Sequence, residues 1–571
     1  MKASTVAASV AALATRALAS SSSSSCHCMP GDSCWPSTSS WDSLNTTVGG
    51  RLVATVPIGT PCHDPNYNGD ECTTLQDNWY YPQTHFVSSS SVMQSYFANQ
   101  SCDPFTAESR ACELGNYVSY AVNVSSAADV AATVKFAKSN NLRLVIRNTG
   151  HDYLGRSTGA GALSVWTHSL NSVAYEDYSD STYSGPAYKL GSGVMGYQVL
   201  DALEGSGHVL VGGECPTVGL AGGYTQGGGH SALSTMFGLG ADQTLSFEVV
   251  TAAGDIITAS RTNNTDLYWA LSGGGAGNYA VVTSLTAKAH ADAIVSGAGL
   301  EITTANITTD LFFEAVERFH TYLPAMIDAG TTVIYEMTDY AFLINPLTAY
   351  NQTSAQVEAV LAPFLSALTE LEVPYTVAYT QFDSYYDFYE NYMGPLPYGN
   401  LDVGTYNYGG RLLPRSTIEA NTTNLVAALR NITEQGVIAV GVGLNVTSAN
   451  DTDNAVFAPW RSAAVTMQIG SPWNETAPWA DMVAAQLKIT HELVPQLEAV
   501  TPGGGAYENE ANFRQLNWQE AFFGENYDKL CQIKEKWDPD HVFYVTKGVG
   551  SEYWDVADNG RMCQSGSSCS A

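Results

Sequence analysis

Arg147-Asn148-Thr149-Gly150-His151-Asp152 and Gly212-Gly213-Glu214-Cys215-Pro216-Thr217-Val218-Gly219 are the two stretches on whose reading the fold turns. Their nucleophilic side chains, His151 and Cys215, stand 64 residues apart, each in a glycine-rich turn where backbone can approach a ligand closely. Leu142 to Arg147 reads as a buried strand, which Asn148 to Gly150 break with residues that tolerate positive φ. His151 therefore falls just past a strand end, where loops commonly meet ligands. After Cys215 comes Gly219-Leu220-Ala221-Gly222-Gly223-Tyr224-Thr225-Gln226-Gly227-Gly228-Gly229-His230, whose six glycines leave backbone N–H groups uncovered for a diphosphate or the polar edge of a flat ring. Ser272-Gly273-Gly274-Gly275-Ala276-Gly277-Asn278 supplies a third such wall. Taken singly, a histidine after a strand, a glycine cluster and a cysteine in a secreted chain have ordinary readings as a hydrogen-bonded side chain, a turn and half a disulfide. Their conjunction points further.

Arg147 to Gly155 and Gly212 to Ser231 closely resemble the two flavin-attachment segments of the berberine bridge enzyme-like branch of the vanillyl-alcohol oxidase superfamily. The likeness continues through Asp266 to Gly275 and resumes in Asn517 to Gly524, Asp538 to Phe543 and Gly548 to Ser551. It spans about Tyr117 to Trp554 and is weakest between residues 295 and 500. The opening Cys26-His27-Cys28-Met29-Pro30-Gly31-Asp32-Ser33-Cys34-Trp35-Pro36 resembles a fungal secreted subgroup that includes isoamyl alcohol oxidases. The resemblance implies an α+β fold: a PCMH-type FAD-binding domain with an α+β substrate domain inserted before the C-terminal segment. It also implies bicovalent FAD, with an 8α-histidyl bond to His151 and a 6-S-cysteinyl bond to Cys215. Arg147, Asn148, Thr149, Gly150, Gly219, Gly222, Gly223, Gly228, Gly229 and His230 would lie beside the cofactor.

One motif competes. Gly191-Ser192-Gly193-Val194-Met195-Gly196 matches the dinucleotide fingerprint, with Glu214 eighteen residues beyond near the expected acidic position. It follows a short strand-like stretch and precedes a helix-like one, but it falls between the two attachment turns instead of opening a βαβαβ unit.

At 571 residues the chain is long for one domain and fits two. Met1-Lys2, an apolar run from Val6 to Ala14 and Ala17-Leu18-Ala19 read as a signal peptide over residues 1–19, with Arg16 unusually placed between run and cleavage signal. Eleven Asn-x-Ser/Thr sites agree with export and glycosylation. Eleven cysteines are an odd number, so a flavin bond at Cys215 leaves ten for up to five disulfides of undetermined connectivity. Cys26-His27-Cys28 lacks a second Cys/His pair at zinc spacing, so no metal is expected. The net charge of −31 tells against nucleic acid or an anionic membrane as partner. The expected partners are a small-molecule substrate and molecular oxygen.

Residues 20–115 read as a serine run and a Cys-rich extension, 116–292 as the FAD-binding domain, 293–499 as the substrate domain, 500–555 as the return to the FAD-binding domain and 556–571 as a tail. Tyr120 to Val124 reads as a strand and Ser126-x-x-Asp129 as a helix-capping pattern. Leu245, Phe247 and Val249 alternate inward before a turn at Ala253-Gly254-Asp255. Beyond residue 293, helical stretches at 309–327, 354–370, 416–434 and 478–499 alternate with strands at 331–338, 374–380 and 437–446.

Attachment through imidazole and thioether raises a flavin's reduction potential and favours hydride removal from an alcohol or amine carbon. The protein must add a base for the O–H or N–H proton. Tyr507, in a stretch similar to the family's Tyr-x-Asn segment, is the first candidate. Glu336, Tyr406 and Tyr408 are next, while Tyr385, Tyr386, Tyr389 and Tyr392 read as a pocket wall or an ordinary helix face. In the resembling family the residue three after the attachment cysteine gates oxygen, with valine marking oxidases. Val218 occupies that place. The expected activity is an oxidase that makes hydrogen peroxide, the rivals being a dehydrogenase or secondary-metabolite oxidoreductase using another acceptor, or a non-catalytic flavoglycoprotein.

Overall fold

The computed structural model describes residues 26–447 and 453–569; the expected leader, the serine run and the sequon at Asn450 lie outside them. Tyr120–Asn123 and Leu144–Arg147 both run parallel to Leu163–Trp166, which lies between them, and Leu52–Ala54 adds an antiparallel edge. The connecting helix Ala127–Ser139 starts where the sequence places it, with Ser126 Oγ accepting the Asp129 N–H at 3.2 Å. Val130, Val134 and Ala137 turn its apolar face onto the sheet.

A second, antiparallel sheet orders Val173–Ser179, Ser184–Gly191, Val281–Lys288, Thr244–Val250 and Ile256–Ser260. This settles the competing motif, because both neighbours of Ser184–Gly191 are antiparallel and no βαβ crossover leaves it. Its glycines serve close backbone packing instead: a Cβ on Gly193 would stand 2.4 Å from the carbonyl oxygens of Thr167 and His168.

The third sheet is antiparallel and seven-stranded, in the order Thr376–Phe382, Val295–Thr303, Ala341–Tyr350, Thr331–Met337, Ile438–Gly443, Ala463–Pro472, Tyr406–Pro414. Helices Thr309–Asp328, Ser354–Glu370 and Arg415–Thr433 cover one face and close the largest core, which takes Val333, Tyr335 and Met337 from one strand. Alternation turns Ile334 and Glu336 of that strand to the opposite, open face. The helix expected over 478–499 is interrupted: Trp479–Lys488 passes through a wider turn at Ile489–Leu493 into Val494–Val500. Pro495 lacks the N–H that would continue the regular ladder.

Ten cysteines pair as 26–563, 28–34, 62–72, 102–112 and 531–569, and Cys215 is left free. The first bridge joins the opening of the described chain to its tail, where Arg561 also holds Asp32 through two bonds of 2.9 Å.

Candidate active site

A cavity of about 750 Å³ lies between the glycine-rich turns and the open face of the seven-stranded sheet. His151 and Cys215 meet on its wall. His151 Nε2 shares a 2.7 Å hydrogen bond with Thr217 Oγ1, and Cys215 Sγ lies 3.4 Å from that hydroxyl and 4.0 Å from Nε2. Burial, reinforced by His85 and Arg147, pushes the His151 pKa down to about 3, so its ring is a neutral nucleophile at ordinary pH. Burial pushes the Cys215 thiol up, which keeps it protonated beside that imidazole.

Of the residues expected beside the cofactor or its oxygen path, Asn148, Thr149, Gly150, Val218, Gly219, Gly222, Gly223 and His230 line the cavity. Three expected cofactor contacts do not. The buried Arg147 guanidinium donates to the carbonyls of His85, Ser88, Ser91 and Thr149, three of them in the Cys-rich extension. With no carboxylate beside it, burial lowers its pKa to about 9, and its work is to pin the extension behind the His151 turn. Gly228 and Gly229, at φ +120° and +78°, form the bend behind the wall, where Gly229 N–H donates to the Tyr507 hydroxyl at 3.2 Å.

The cavity fits a large, flat, polar cofactor. Asn148 Oδ1, Ser192 Oγ, Tyr224 Oη and Gln226 Oε1 belong to lining residues and are buried with no protein hydrogen-bond partner. Leaving such groups unsatisfied costs several kcal/mol in all, about 1–3 each, so they call for a ligand that pairs with them. The glycines make the cradle: a Cβ on Gly219 would stand 1.9 Å from Asn148 Nδ2, which donates to Ser192 O at 2.6 Å. Gly219→Ala is expected to displace Asn148, lower the melting temperature by the equivalent of about 1–3 kcal/mol and reduce the flavin-to-protein absorbance ratio. An unchanged ratio in a folded variant contradicts the cradle.

Tyr507 lines the cavity but is poorly suited to the expected role of base. Its hydroxyl accepts from Gly229 N–H and, at 2.7 Å, from Asn509 Nδ2, and burial followed by the charge of Glu510 drives its ionisation well above the ordinary value. Glu336 faces the cavity from the sheet, its carboxyl pKa raised by burial. Tyr408 stacks on Tyr153 with centroids 4.0 Å apart and planes at 6°, while Tyr406 lines the mouth. The tyrosine helix Tyr385–Tyr392 divides its work. Tyr389 donates to the carbonyls of Gly213 and Glu214, Tyr392 lines the cavity, Tyr385 is buried and Tyr386 reaches Asp201 at 3.4 Å.

Sequence reasoning missed Thr217, Tyr153, Glu214 and Glu510 as parts of the site. His230 lies between the last two, Nε2 at 2.7 Å from Glu510 Oε1 and Nδ1 at 3.3 Å from Glu214 Oε2. These two carboxylates raise its pKa well above the ordinary value against the opposing effect of burial. Among the described residues no His/Cys/Asp/Glu group is arranged to hold a metal ion.

Residues 118–260 match the FAD binding domain family, and residues 506–550 match the berberine and berberine-like family. The FAD-linked oxidoreductase ZEB1 of Gibberella zeae is 53% identical over 544 residues, covering 95% of this chain and 96% of its own length. The crystal structure of the VAO-type flavoprotein MtVAO615 from Myceliophthora thermophila superposes with a TM-score of 0.92 at 41% identity, covering 95% of this chain and all of that one. A glucooligosaccharide oxidase from Acremonium strictum, described with a 6-S-cysteinyl, 8α-N1-histidyl FAD, shares the fold at a TM-score of 0.63 and 20% identity, over 76% of this chain and 92% of its own. On the match to ZEB1 and the near-complete superposition on MtVAO615, the chain belongs to the FAD-linked oxidoreductases of the vanillyl-alcohol oxidase and berberine bridge enzyme-like family.

Proposed function

We propose that this FAD-linked oxidoreductase is an exported oxidase that holds FAD through both His151 and Cys215, oxidises an alcohol and passes the electrons to oxygen. The observation that carries the double bond is the 4.0 Å approach of a neutral imidazole to the one cysteine outside the disulfides. Both side chains lie on one cavity wall, where one ring edge can meet them, and the Acremonium oxidase is described with the same pair of linkages.

When bound, FAD supplies the acceptor for the hydride of the substrate carbon. The chain's own residues do the remainder. Ser192 Oγ and Tyr224 Oη, which can donate, and Asn148 Oδ1 and Gln226 Oε1, which accept, offer unpaired polar atoms to orient the cofactor. Ile334, Val440 and Val442 form an apolar patch on the sheet that excludes water from the reacting carbon. Val218 stands on the wall three residues beyond Cys215, where its small side chain leaves space for oxygen. The flavin half comprises residues 116–292 with 500–555, and residues 293–499 roof it with the seven-stranded sheet. Export agrees with five disulfides and with ten described sequon asparagines, none of which is fully buried. No helix among the described residues is long and apolar enough to cross a membrane.

The test is anaerobic bleaching of the holoenzyme by isoamyl alcohol, benzyl alcohol, cyclohexanol, glucose and benzylamine, followed by air. An alcohol is expected to bleach the flavin, and air to restore the colour with one hydrogen peroxide formed per turnover. Bleaching that air fails to reverse identifies a dehydrogenase, and no bleaching with any compound sinks the oxidase reading.

A further inference from the structure

Oxidation of an alcohol requires an acceptor for its hydroxyl proton, and any base assigned to that step rests on the alcohol-oxidase reading. Three separate segments converge on one charged cluster: Glu214 from the Cys215 turn, His230 from the glycine-rich stretch and Glu510 from the C-terminal return. All three line the cavity, and the His230 side chain is only 8% exposed. Glu510 Oε1 hydrogen-bonds the imidazole at Nε2, Glu214 Oε2 lies 3.3 Å from Nδ1 as an ion-pair neighbour without a hydrogen bond, and the second oxygens, Glu214 Oε1 and Glu510 Oε2, are buried with no hydrogen-bond partner.

The charge count decides what the cluster can do. Two carboxylates and one imidazolium leave a single uncompensated negative charge in a medium of low dielectric, and accepting one proton removes it. The surroundings do not cancel that charge. Tyr153, Tyr224, Tyr385, Tyr408 and Tyr507 face it as phenols that burial keeps neutral, and the Cys215 thiol is likewise held protonated. Among the described lining residues Arg156 is the only arginine or lysine, and it is paired with Glu508 at 2.8 Å. Glu336 adds a further acidic group from the sheet.

We propose that Glu510 is the catalytic base, its free Oε2 taking the substrate's hydroxyl proton while His230 and Glu214 position it. The alcohol O–H bond breaks and its proton becomes the acid proton of Glu510. The O–H electron pair forms the second bond of the carbonyl, and the adjacent C–H bond leaves as hydride to FAD, which is reduced by two electrons. The cluster ends with one carboxylic acid, one imidazolium and one carboxylate, with no net charge.

Two measurements on the holoenzyme test this. In protein labelled with carbon-13 at histidine Cε1, the His230 signal, assigned by its loss in His230→Asn, is expected to remain that of an imidazolium at about pH 8. In Glu510→Gln its titration should move down by about one unit or more. Ordinary titration of His230 in the wild type overturns the charged cluster, whether or not an oxidised alcohol has been found. Anaerobic flavin reduction by the fastest alcohol of the panel is expected to slow on the order of 10²–10⁴-fold in Glu510→Gln, with flavin content and melting temperature retained. Glu510→Asp should recover part of the rate. A Glu510→Gln enzyme within about threefold of wild type, or the large loss appearing in Glu336→Gln instead, overturns the assignment. Failure of every alcohol to bleach the wild type falls on the oxidase reading, and the histidine titration still decides whether the cluster carries its excess charge.

Discussion

Acid precipitation of the His151→Ala/Cys215→Ala double variant should leave a colourless pellet, whereas each single variant should precipitate yellow. The geometry supports independence of the two bonds. Without Cys215, the 2.7 Å bond from Thr217 still holds His151; without His151, the same hydroxyl still lies 3.4 Å from Cys215 Sγ. The double variant removes no core side chain of any size and leaves the unpaired polar atoms of Asn148, Ser192, Tyr224 and Gln226 in place. It should therefore fold and take up flavin reversibly, so the loss appears only on denaturation. Peptide mapping of the wild type supplies the second readout: Cys215 found in a disulfide, or His151 unmodified in fully loaded protein, contradicts the two-bond attachment.

The second large effect is expected at Val218. Its N–H donates to Cys215 O at 3.2 Å, and its carbonyl accepts from Gly196 N–H at 3.0 Å, so the side chain is presented to the cavity from a fixed backbone. Val218→Ile adds one methylene at the wall without disturbing those bonds. Anaerobic reduction by substrate should change little, while the rate of reoxidation by oxygen should fall about tenfold to a hundredfold, equivalent to about 1.4–2.8 kcal/mol of barrier. Stopped-flow mixing of reduced enzyme with oxygenated buffer separates the two half-reactions. Equal reoxidation rates in variant and wild type would remove Val218 as the oxygen gate.

Local signals carried much of the architecture. The Ser126 cap, the Gly254 turn and the three long helices that cover the seven-stranded sheet lie where propensity and periodicity place them. Val295–Thr303, Ala341–Tyr350 and Ala463–Pro472 were less legible, because strands covered on one face by helices and on the other by a cavity wall mix apolar, small and polar residues. His151 and Cys215 were legible because glycine surrounds each, and the structure brings them together. Arg147, which the family resemblance puts beside the cofactor, has as partners carbonyls contributed some 60 residues earlier in the chain, a pairing that no local spacing reveals. The Glu214–His230–Glu510 cluster was hidden because its members lie on three segments, His230 and Glu510 being 280 residues apart, with no local spacing to betray them. Tyr507 shows the converse limit, since a motif can place a hydroxyl beside the cavity without revealing that it already accepts two hydrogen bonds.

The bond between Cys26 and Cys563 has a consequence for biosynthesis. A ribosome extends a chain by about 5–20 residues each second, so the 537 residues separating these partners take roughly half a minute to two minutes to make. Throughout that interval Cys26 waits beside Cys28 and Cys34 with its proper mate still untranslated. Nascent protein must therefore avoid or undo a local mispairing at its own beginning, which makes a thiol-disulfide isomerase in the host a determinant of yield.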